Sequence, residues 1–421
     1  MASKKDKKDK SGPFITGFGS WKAVTTALHN RLPSNKESMV PGVEPIPDWD
    51  PTSESSGPPP DTITPQQLQA TMEHLAKKDE ELGCLPPRVY GSLLECNDKV
   101  YMLGGTDITG QPLNTLFMSE DPLSDWYQLP PFKAPKAGMS THVVDGKIFI
   151  FGGSNIKQAG DNSVEIFDTQ SQTWTQGKTI PGDTFTGGRT VLHNGLIYLI
   201  GGIRDGVSSC LNTIMSYNPE TDTWKLGGYP EMNYYRYAAT LVLKNNLLYI
   251  SGGREGKLAC DGVECFSFDD NKITQLATYP SKKVFYQEFN RPQDQDFYLF
   301  GGMDYPSTSP NAASEMYRYD IRGNEWEQMP DMHMGRADMG VACFKDKLMA
   351  IGGVTVNARQ QVEPTNQIEV FSPEERIWYK FKNTMPTPRF SPHVLEHKHK
   401  LFVYGGFGGK PTGALEKLEV H

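Results

Sequence analysis

The chain has 421 residues, a net charge of −8 and six cysteines. An acidic balance with both signs spread along most of its length argues against a nucleic-acid partner. The cysteines fit neither a Cys-x-x-Cys metal pattern nor a disulfide framework, and no stretch approaches the roughly 18 to 20 apolar residues that cross a bilayer. Because the N-terminus also lacks the apolar region of a secretory signal, we expect a cytoplasmic protein without a membrane partner.

Residues 1–86 predict an N-terminal tail that begins with a lysine-rich, disordered stretch over residues 1–12. An aromatic segment over residues 13–32 follows, with Trp21, Val24 and Leu28 at helical spacing behind Ser20 as a possible N-cap. Such a segment either packs on the main fold or docks on a partner. Its candidate binding residues are Phe14, Phe18, Trp21 and Leu28.

The rest of the tail changes composition twice. Residues 33–63 contain eight prolines, which favour an extended linker or a wrapped arm. From Thr64 the pattern predicts a helix over residues 65–82, since Thr64 can cap, Pro65 suits the first helical position and Gln67 completes a capping box.

The remaining sequence, residues 88–421, is organised around seven glycine pairs separated by 48, 49, 51, 49, 51 and 53 residues. A constant period of this length indicates a repeat architecture. Each pair ends a short apolar run of strand length, where glycine can adopt positive φ or let another backbone come close. The pairs begin at Gly104, Gly152, Gly201, Gly252, Gly301, Gly352 and Gly405.

Two further positions recur in the repeat. A basic residue lies 16 residues before the pair in five units, whereas the other two have Phe185 and Phe285 there and displaced basic residues at Arg189 and Lys283. The five are Arg88, Lys136, Arg236, Arg336 and Arg389. After each pair come a polar loop, a third strand and a fourth strand built on a tryptophan at 126, 174, 224, 326 or 378; in the unit of Gly252, Ile273 or Leu276 takes that place.

Four hairpin-linked strands per unit with an aromatic anchor on the outer strand predict one blade of a β-propeller. The glycine pairs, the turns from Asp168 to Trp174 and from Asp320 to Trp326, and the Met385 to Arg389 segment resemble the kelch repeat, most closely stand-alone kelch domain-containing proteins. We therefore expect an all-β, seven-bladed kelch propeller with a partly disordered tail that holds one or two short helices. The last blade is either three-stranded or completed by the tail, and a six-bladed ring would leave a whole unit outside.

Catalysis is not expected. Copper enzymes similar to galactose oxidase share this architecture, and His142, His193 and His393 all fall on first strands, which line the axis. They stand 10, 8 and 12 residues before their glycine pairs, so neighbouring levels differ by roughly 6 to 7 Å. Imidazoles staggered in this way do not share a metal, and we assign no catalytic residue, metal or cofactor.

The resemblance implies a binding face where the entries to the first strands and the loops after the glycine pairs converge. The candidate residues on this face are Arg88, Tyr90, Arg189, Arg204, Tyr235, Arg236, Arg254, Tyr305, Arg336 and Arg389. Arginine beside tyrosine suits acidic peptide segments, because guanidinium groups bind carboxylates in pairs and stack on rings. The alternative is that the repeated arginines bind backbone carbonyls and hold neighbouring blades together.

The first functional hypothesis is an intracellular protein-interaction scaffold or adaptor, with the propeller face and the tail as separate binding modules. The composition of the tail suits docking on a large cytoskeletal or ciliary assembly. The second is a substrate receptor of a ubiquitin ligase. The tail is too short and proline-rich for a BTB-type domain, and the sequence ends within the propeller, which weighs against the second hypothesis.

Overall fold

The structure is a computed structural model that describes residues 85–122, 125–154, 161–182, 185–204, 210–304, 309–381, 384–409, 412–413 and 415–418. In the tail it describes three strands, β1 (Phe14–Ile15), β2 (Trp21–Ala23) and β3 (Leu28–His29). The predicted lysine-rich start, the proline-rich linker, the helix over residues 65–82, and the candidate residues Phe18 and Tyr305 lie outside the described residues.

The repeat forms seven antiparallel blades, as predicted. The first strands are β4 (Ser92–Cys96), β8 (Ser140–Val144), β12 (Arg189–His193), β16 (Thr240–Lys244), β22 (Gln287–Phe289), β26 (Gly340–Phe344) and β32 (His393–His397). The second strands are β5 (Lys99–Leu103), β9 (Lys147–Phe151), β13 (Leu196–Ile200), β17 (Leu247–Ser251), β23 (Phe297–Phe300), β27 (Lys347–Ile351) and β33 (Lys400–Tyr404).

The third strands are β6 (Leu116–Ser119), β10 (Val164–Asp168), β14 (Ile214–Asn218), β20 (Val263–Ser267), β24 (Met316–Asp320), β30 (Ile368–Ser372) and β34 (Leu415–Leu418). The fourth strands of blades one to six are β7 (Trp126–Leu129), β11 (Thr173–Gly177), β15 (Thr223–Lys225), β21 (Lys272–Gln275), β25 (Glu325–Met329) and β31 (Ile377–Phe381). Two small hairpins extend blades four and six: β18 (Arg254–Glu255) with β19 (Leu258–Ala259), and β28 (Val354–Val356) with β29 (Val362–Pro364).

The second strands are apolar on both faces because each blade packs between two others. In β27, Leu348 and Ala350 belong to the core between blades five and six, whereas Met349 and Ile351 belong to the core between blades six and seven. All four are 0% exposed. Burying a Leu, Ile or Met side chain contributes roughly 1.5 to 3 kcal/mol, so the repeated apolar run is the main source of cohesion between blades.

The tail completes the propeller. Strand β2 pairs antiparallel with β34, which gives blade seven its fourth strand, so the tail-completed form is confirmed over the three-stranded form. Strands β1 and β3 add a parallel fifth strand to blade six, at β31, and to blade one, at β7. The helical spacing assigned to Trp21 and Leu28 is wrong, because both lie in strands whose backbone is paired with the propeller. The described residues include no helix that is long and apolar enough to span a membrane.

The glycine pairs join each blade to the next, as their positive φ and close backbone approach predict. Gly201 has φ of 59°, and a Cβ there would lie 2.3 Å from the carbonyl oxygen of Arg236. The N–H of Gly202 donates to that same oxygen at 2.9 Å. The last pair repeats the contact across the ring closure, where the Gly406 N–H donates to the Arg88 carbonyl at 3.1 Å.

The tryptophans of the fourth strands also connect blades. The indole N–H of Trp378 donates to the carbonyl of Pro330 at the end of the preceding blade's outer strand, 3.0 Å away, and Trp174 and Trp224 make the same contact. In blade four Ile273 takes this position, since it pairs with Phe266 as Trp378 pairs with Phe371.

Candidate functional site: the loop face

The loop face consists of the entries to the first strands and the connections between second and third strands. Isolated bridges join the two in each blade, for example between Ala337 and Val354 or between Tyr237 and Arg254. The two small hairpins of blades four and six rise from this face. The predicted convergence of these segments is therefore confirmed.

The prediction that the repeated arginines present their side chains on this face is wrong. The side chains of Arg88, Arg236, Arg336 and Arg389 are all 0% exposed, as is that of Lys136. Each of the four guanidinium groups donates to the carbonyl oxygen of the first glycine of its own pair, 16 residues later. The alternative interpretation, that they hold the fold through backbone carbonyls, is the one that the geometry supports.

Four of these cations are neutralised by a glutamate that sequence reasoning missed. Arg236 lies 2.8 Å from Glu264, and the carboxylate also accepts the backbone N–H of Asn233 at 2.6 Å. The glutamate is always the second residue of the third strand, which is the signal that an alignment of the repeats on this strand exposes. We call each of these buried ion pairs a clamp. The four clamps are Lys136–Glu165, Arg236–Glu264, Arg336–Glu369 and Arg389–Glu416.

The other three blades have different residues at the basic position or at the glutamate position. In blade one Phe117 replaces the glutamate, and the Arg88 guanidinium lies 5.2 Å from the centre of its ring. Blade three has an apolar pair, with Phe185 and Met215 both in one core cluster. In blade five Lys283 is the structural equivalent of Arg88, because Val284 bridges to Met303 as Val89 bridges to Thr106. The hairpin between the first and second strands of blade five is two residues longer than in blade one. Lys283 therefore lies two residues farther from its glycine pair than Arg88 does.

The remaining candidates are on the loop face or along the channel. Tyr90 and Tyr235 are 44% and 48% exposed, and Arg204 is exposed. Arg189 is exposed but stands on the first strand, where its Nε donates to the Ala239 carbonyl at 3.0 Å. Arg254 is buried between two rings, 5.5 Å from the centre of Tyr237 and 5.8 Å from that of Phe285.

An apolar crown cluster crosses the loop face from blade four to blade seven. Its buried members are Val284, Met303, Ala337, Val354 and Phe390, and its partly buried members are Ala259, Phe285, Val362 and Phe407. Leu258, at the start of β19 beside Ala259, is 70% exposed. A groove of about 250 Å³ runs along this region between residues 309–312 and the hairpin of β28 and β29. Its lining includes the polar residues Ser309, Asn311, Thr355 and Gln360.

The channel mouth is a ring of left-handed residues. Each lies two positions after the basic residue of its blade, or after Phe185 in blade three. Their φ angles lie between 46° and 63° at Tyr90, Gly138, Gly187, Ala238, Phe285, Asp338 and Ser391. Backbone hydrogen bonds join neighbours in this ring, for example from the Ser391 N–H to the Asp338 carbonyl at 2.9 Å. This bonding connects the first-strand entries of neighbouring blades.

The three channel histidines stand at different levels, as predicted. His393 is the first residue of its strand, His142 the third and His193 the fifth. Among the described residues no three His, Cys, Asp or Glu side chains lie together in a group that could hold a metal ion. The five described cysteines are free thiols.

His393 makes stability depend on pH. Burial and the Arg88 guanidinium lower the pKa of His393 to about 4, from an ordinary value near 6.5. Between pH 4 and pH 6.5 the unfolded chain binds a proton at His393 that the folded chain does not. The free energy of unfolding is therefore undiminished by His393 above pH 6.5, and it decreases as the pH falls toward 4.

We expect His393→Gln to reduce the loss of unfolding free energy between pH 7 and pH 4.5 by about 2 kcal/mol, measured by denaturant titration. His399→Gln is the matched control, because the His399 side chain is 99% exposed. Parallel pH profiles for the wild type and His393→Gln would contradict the assignment.

Comparisons with known proteins agree with this architecture. A model described as the KLHDC2/KLHL20/DRC7 Kelch-repeats domain matches residues 71–229 and 187–406. Kelch-like protein 40 of Mus musculus is 25% identical over 254 residues, which is 57% of this chain and 40% of that protein. Kelch domain-containing protein 8B of Pongo abelii is 28% identical over 173 residues, 39% of this chain and 47% of that protein.

The chain thus matches less than half the length of these curated relatives. A solved structure titled "Structure of YjhT" is similar with a TM-score of 0.54 at 17% identity, covering 70% of this chain and 97% of that one. At this identity the likeness concerns the fold alone.

Proposed function

Since this chain belongs to the kelch-repeat family, we propose that it is a non-catalytic protein-interaction scaffold that binds a partner through the loop face. The observation that carries the proposal is the exposure of Tyr90, Tyr235, Arg204 and Leu258 on the loop face. Tyrosine and arginine are enriched among the residues that dominate binding energy in protein interfaces.

The buried arginines have no part in the proposed contact. Arg204 and Tyr235 keep the role first assigned to the face, an attraction for acidic segments of the partner, since both are accessible. The groove beside the hairpin of β28 and β29 has a mainly polar lining and offers the partner polar groups to contact. A cytoplasmic partner within a cytoskeletal or ciliary assembly is the setting we propose.

The tail has a smaller part in the proposal. Phe14, Trp21 and Leu28 lie in strands whose backbone pairs with blades six, seven and one. That pairing supports packing on the propeller over docking on a partner. We therefore assign partner binding to the loop face, and the separate tail module stays a prediction.

Proximity labelling tests the proposal. We expect Tyr235→Ala combined with Leu258→Glu to lower recovery of the principal partner at least tenfold, since both changes remove exposed anchors and neither alters a buried group. Ile377→Glu is the matched control, because Ile377 is 40% exposed but begins an outer strand away from the crown cluster.

Equal recovery with the double variant and with the control would overturn the proposed face. Recovery of a cullin with the wild type, and its loss with the double variant, would instead favour the ubiquitin-ligase hypothesis over a simple scaffold.

A further inference from the structure

The groove beside the hairpin of β28 and β29 lies between two neighbouring blades. Residues 309–312, in the connection between the second and third strands of blade five, line one part, and Val356 and Gln360 of blade six line another. Gly335, in the first-strand entry of blade six, also lines it. A Cβ atom there would stand 2.1 Å from the Ala312 carbonyl oxygen, so glycine lets the two blades approach closely at this point.

Strand β28 turns a partly unpaired backbone edge toward the first-strand entry of blade six. The N–H and C=O of Val354 both bond to Ala337, at 2.8 and 2.9 Å, whereas Asn357 bonds across the hairpin to Gln361. Backbone groups alternate between the two sides of a strand, so those of Val356 point to the same side as those of Val354. Among the described residues neither the N–H nor the carbonyl of Val356 has a backbone partner on that side.

A side-chain hydrogen bond explains why the pairing stops there. The antiparallel bridge between Ala337 and Val354 makes Gly335 and Val356 the next pair in register. The carbonyl of Gly335, however, accepts the hydroxyl of Thr355 at 2.8 Å, and the Val356 N–H does not reach it. The groove is lined by both members of this unformed pair.

The groove lining indicates which kind of segment fits. None of the described lining residues is charged, and the amide side chains of Asn311 and Gln360 are exposed. Such a lining offers donors and acceptors to a peptide main chain but no counter-ion to a charged side chain. Unpaired strand edges bind extended peptides, whose main-chain hydrogen bonds supply the affinity.

We propose that an extended, uncharged segment of the partner binds in this groove and adds a strand to β28 through the N–H and C=O of Val356. The inference rests on the proposed function, because it specifies the form of a partner segment that the loop face binds. Tyr235 and Leu258 do not line the groove, so the two assignments can be tested separately.

Selection from a random dodecapeptide library displayed on phage tests the site. The full-length wild type is the target, and phage that also bind Val356→Pro are removed. Proline takes away the N–H of residue 356 and breaks no backbone hydrogen bond among the described residues. We expect enriched sequences with an uncharged centre, whose synthetic peptides bind Val356→Pro at least tenfold more weakly than the wild type.

Val362→Pro is the matched control. Val362 stands opposite Val356 in the same hairpin, but it belongs to β29 and lies outside the groove lining, so its variant should bind the peptides like the wild type. A methyl scan of the peptide amides adds a second control. Since successive amides of a strand point to opposite sides, methylation should weaken binding at least tenfold at one amide and little at its neighbours.

Hydrogen exchange of the wild type gives a readout that depends on no variant. Bound peptide should slow exchange of the Val356 amide at least tenfold, whereas the Val354 amide, already bonded to Ala337, should change little. The inference is overturned if no sequence is enriched, if both proline variants bind the peptides equally, or if the Val356 amide exchanges equally fast with and without peptide. If Tyr235→Ala with Leu258→Glu still lowers partner recovery in that case, only the groove assignment is lost and the proposed face stands.

Discussion

Replacing Glu264 by methionine should lower the free energy of unfolding by about 3 to 5 kcal/mol. Arg236 and Glu264 are both 0% exposed, so the substitution leaves a guanidinium in the interior without its counter-charge. The backbone N–H of Asn233 loses its acceptor at the same time. Urea titration with circular dichroism measures the change.

Blade three supplies the matched control for this prediction. Phe185 and Met215 occupy the same two positions there and pack in an apolar cluster. The double variant Arg236→Phe, Glu264→Met copies that solution, and we expect it to recover at least half of the lost free energy, because an apolar pair can replace a buried ion pair without net cost. A double variant less stable than Glu264→Met alone would show that the clamp contributes more than charge neutralisation.

The repeat could be predicted because its signals are local. The apolar run from Ile197 to Ile200 and the pair at Gly201 and Gly202 lie within six consecutive residues, and the positive φ angles follow from the residue type. In blades one, two, three, five and six the tryptophan follows the first residue of the third strand at the same distance. Such features need no knowledge of which segments meet in space.

The role of the arginines could not be read in the same way. The partner of Arg236 is Glu264, 28 residues later on another strand. Whether an arginine faces solvent or the interior depends on which residue of the third strand stands opposite, and that requires the strand pairing. Without the strand pairing, the sequence shows only a recurrent arginine next to a tyrosine, which is typical of a binding face. In the structure the tyrosine is accessible and the arginine is not.

The crown cluster escaped prediction for a related reason. Phe285 and Phe407 come from blades five and seven, and they lie in one cluster because consecutive blades pack side by side. Sites that combine residues of several blades therefore cannot be predicted from the repeat pattern alone.

The junction of blades seven and one contains two buried donors without an acceptor among the described residues. Within the described residues the indole N–H of Trp126 finds no acceptor, whereas the equivalent groups of Trp174, Trp224 and Trp378 each have one. One terminal nitrogen of Arg88 at the same junction is also without a partner there. Buried donors in this condition are costly, so the ring depends here on what the tail adds.

Removing residues 1–30 should therefore lower the free energy of unfolding by about 3 kcal/mol, since each net backbone hydrogen bond contributes roughly 1 kcal/mol and three tail strands are lost. Hydrogen exchange should locate the effect: amides of β34, which loses its partner β2, should exchange much faster, whereas those of β24 in blade five should change little.

A chain that lacks only residues 1–10 is the matched control, because it keeps β1, β2 and β3. Equal stability and equal exchange in the two truncated chains would contradict a closing role for the tail. If the prediction holds, the tail is part of the propeller's framework, and its removal exposes the edge of β34 as a free strand. The truncated chain should then associate more readily through that edge than the control, which light scattering would detect.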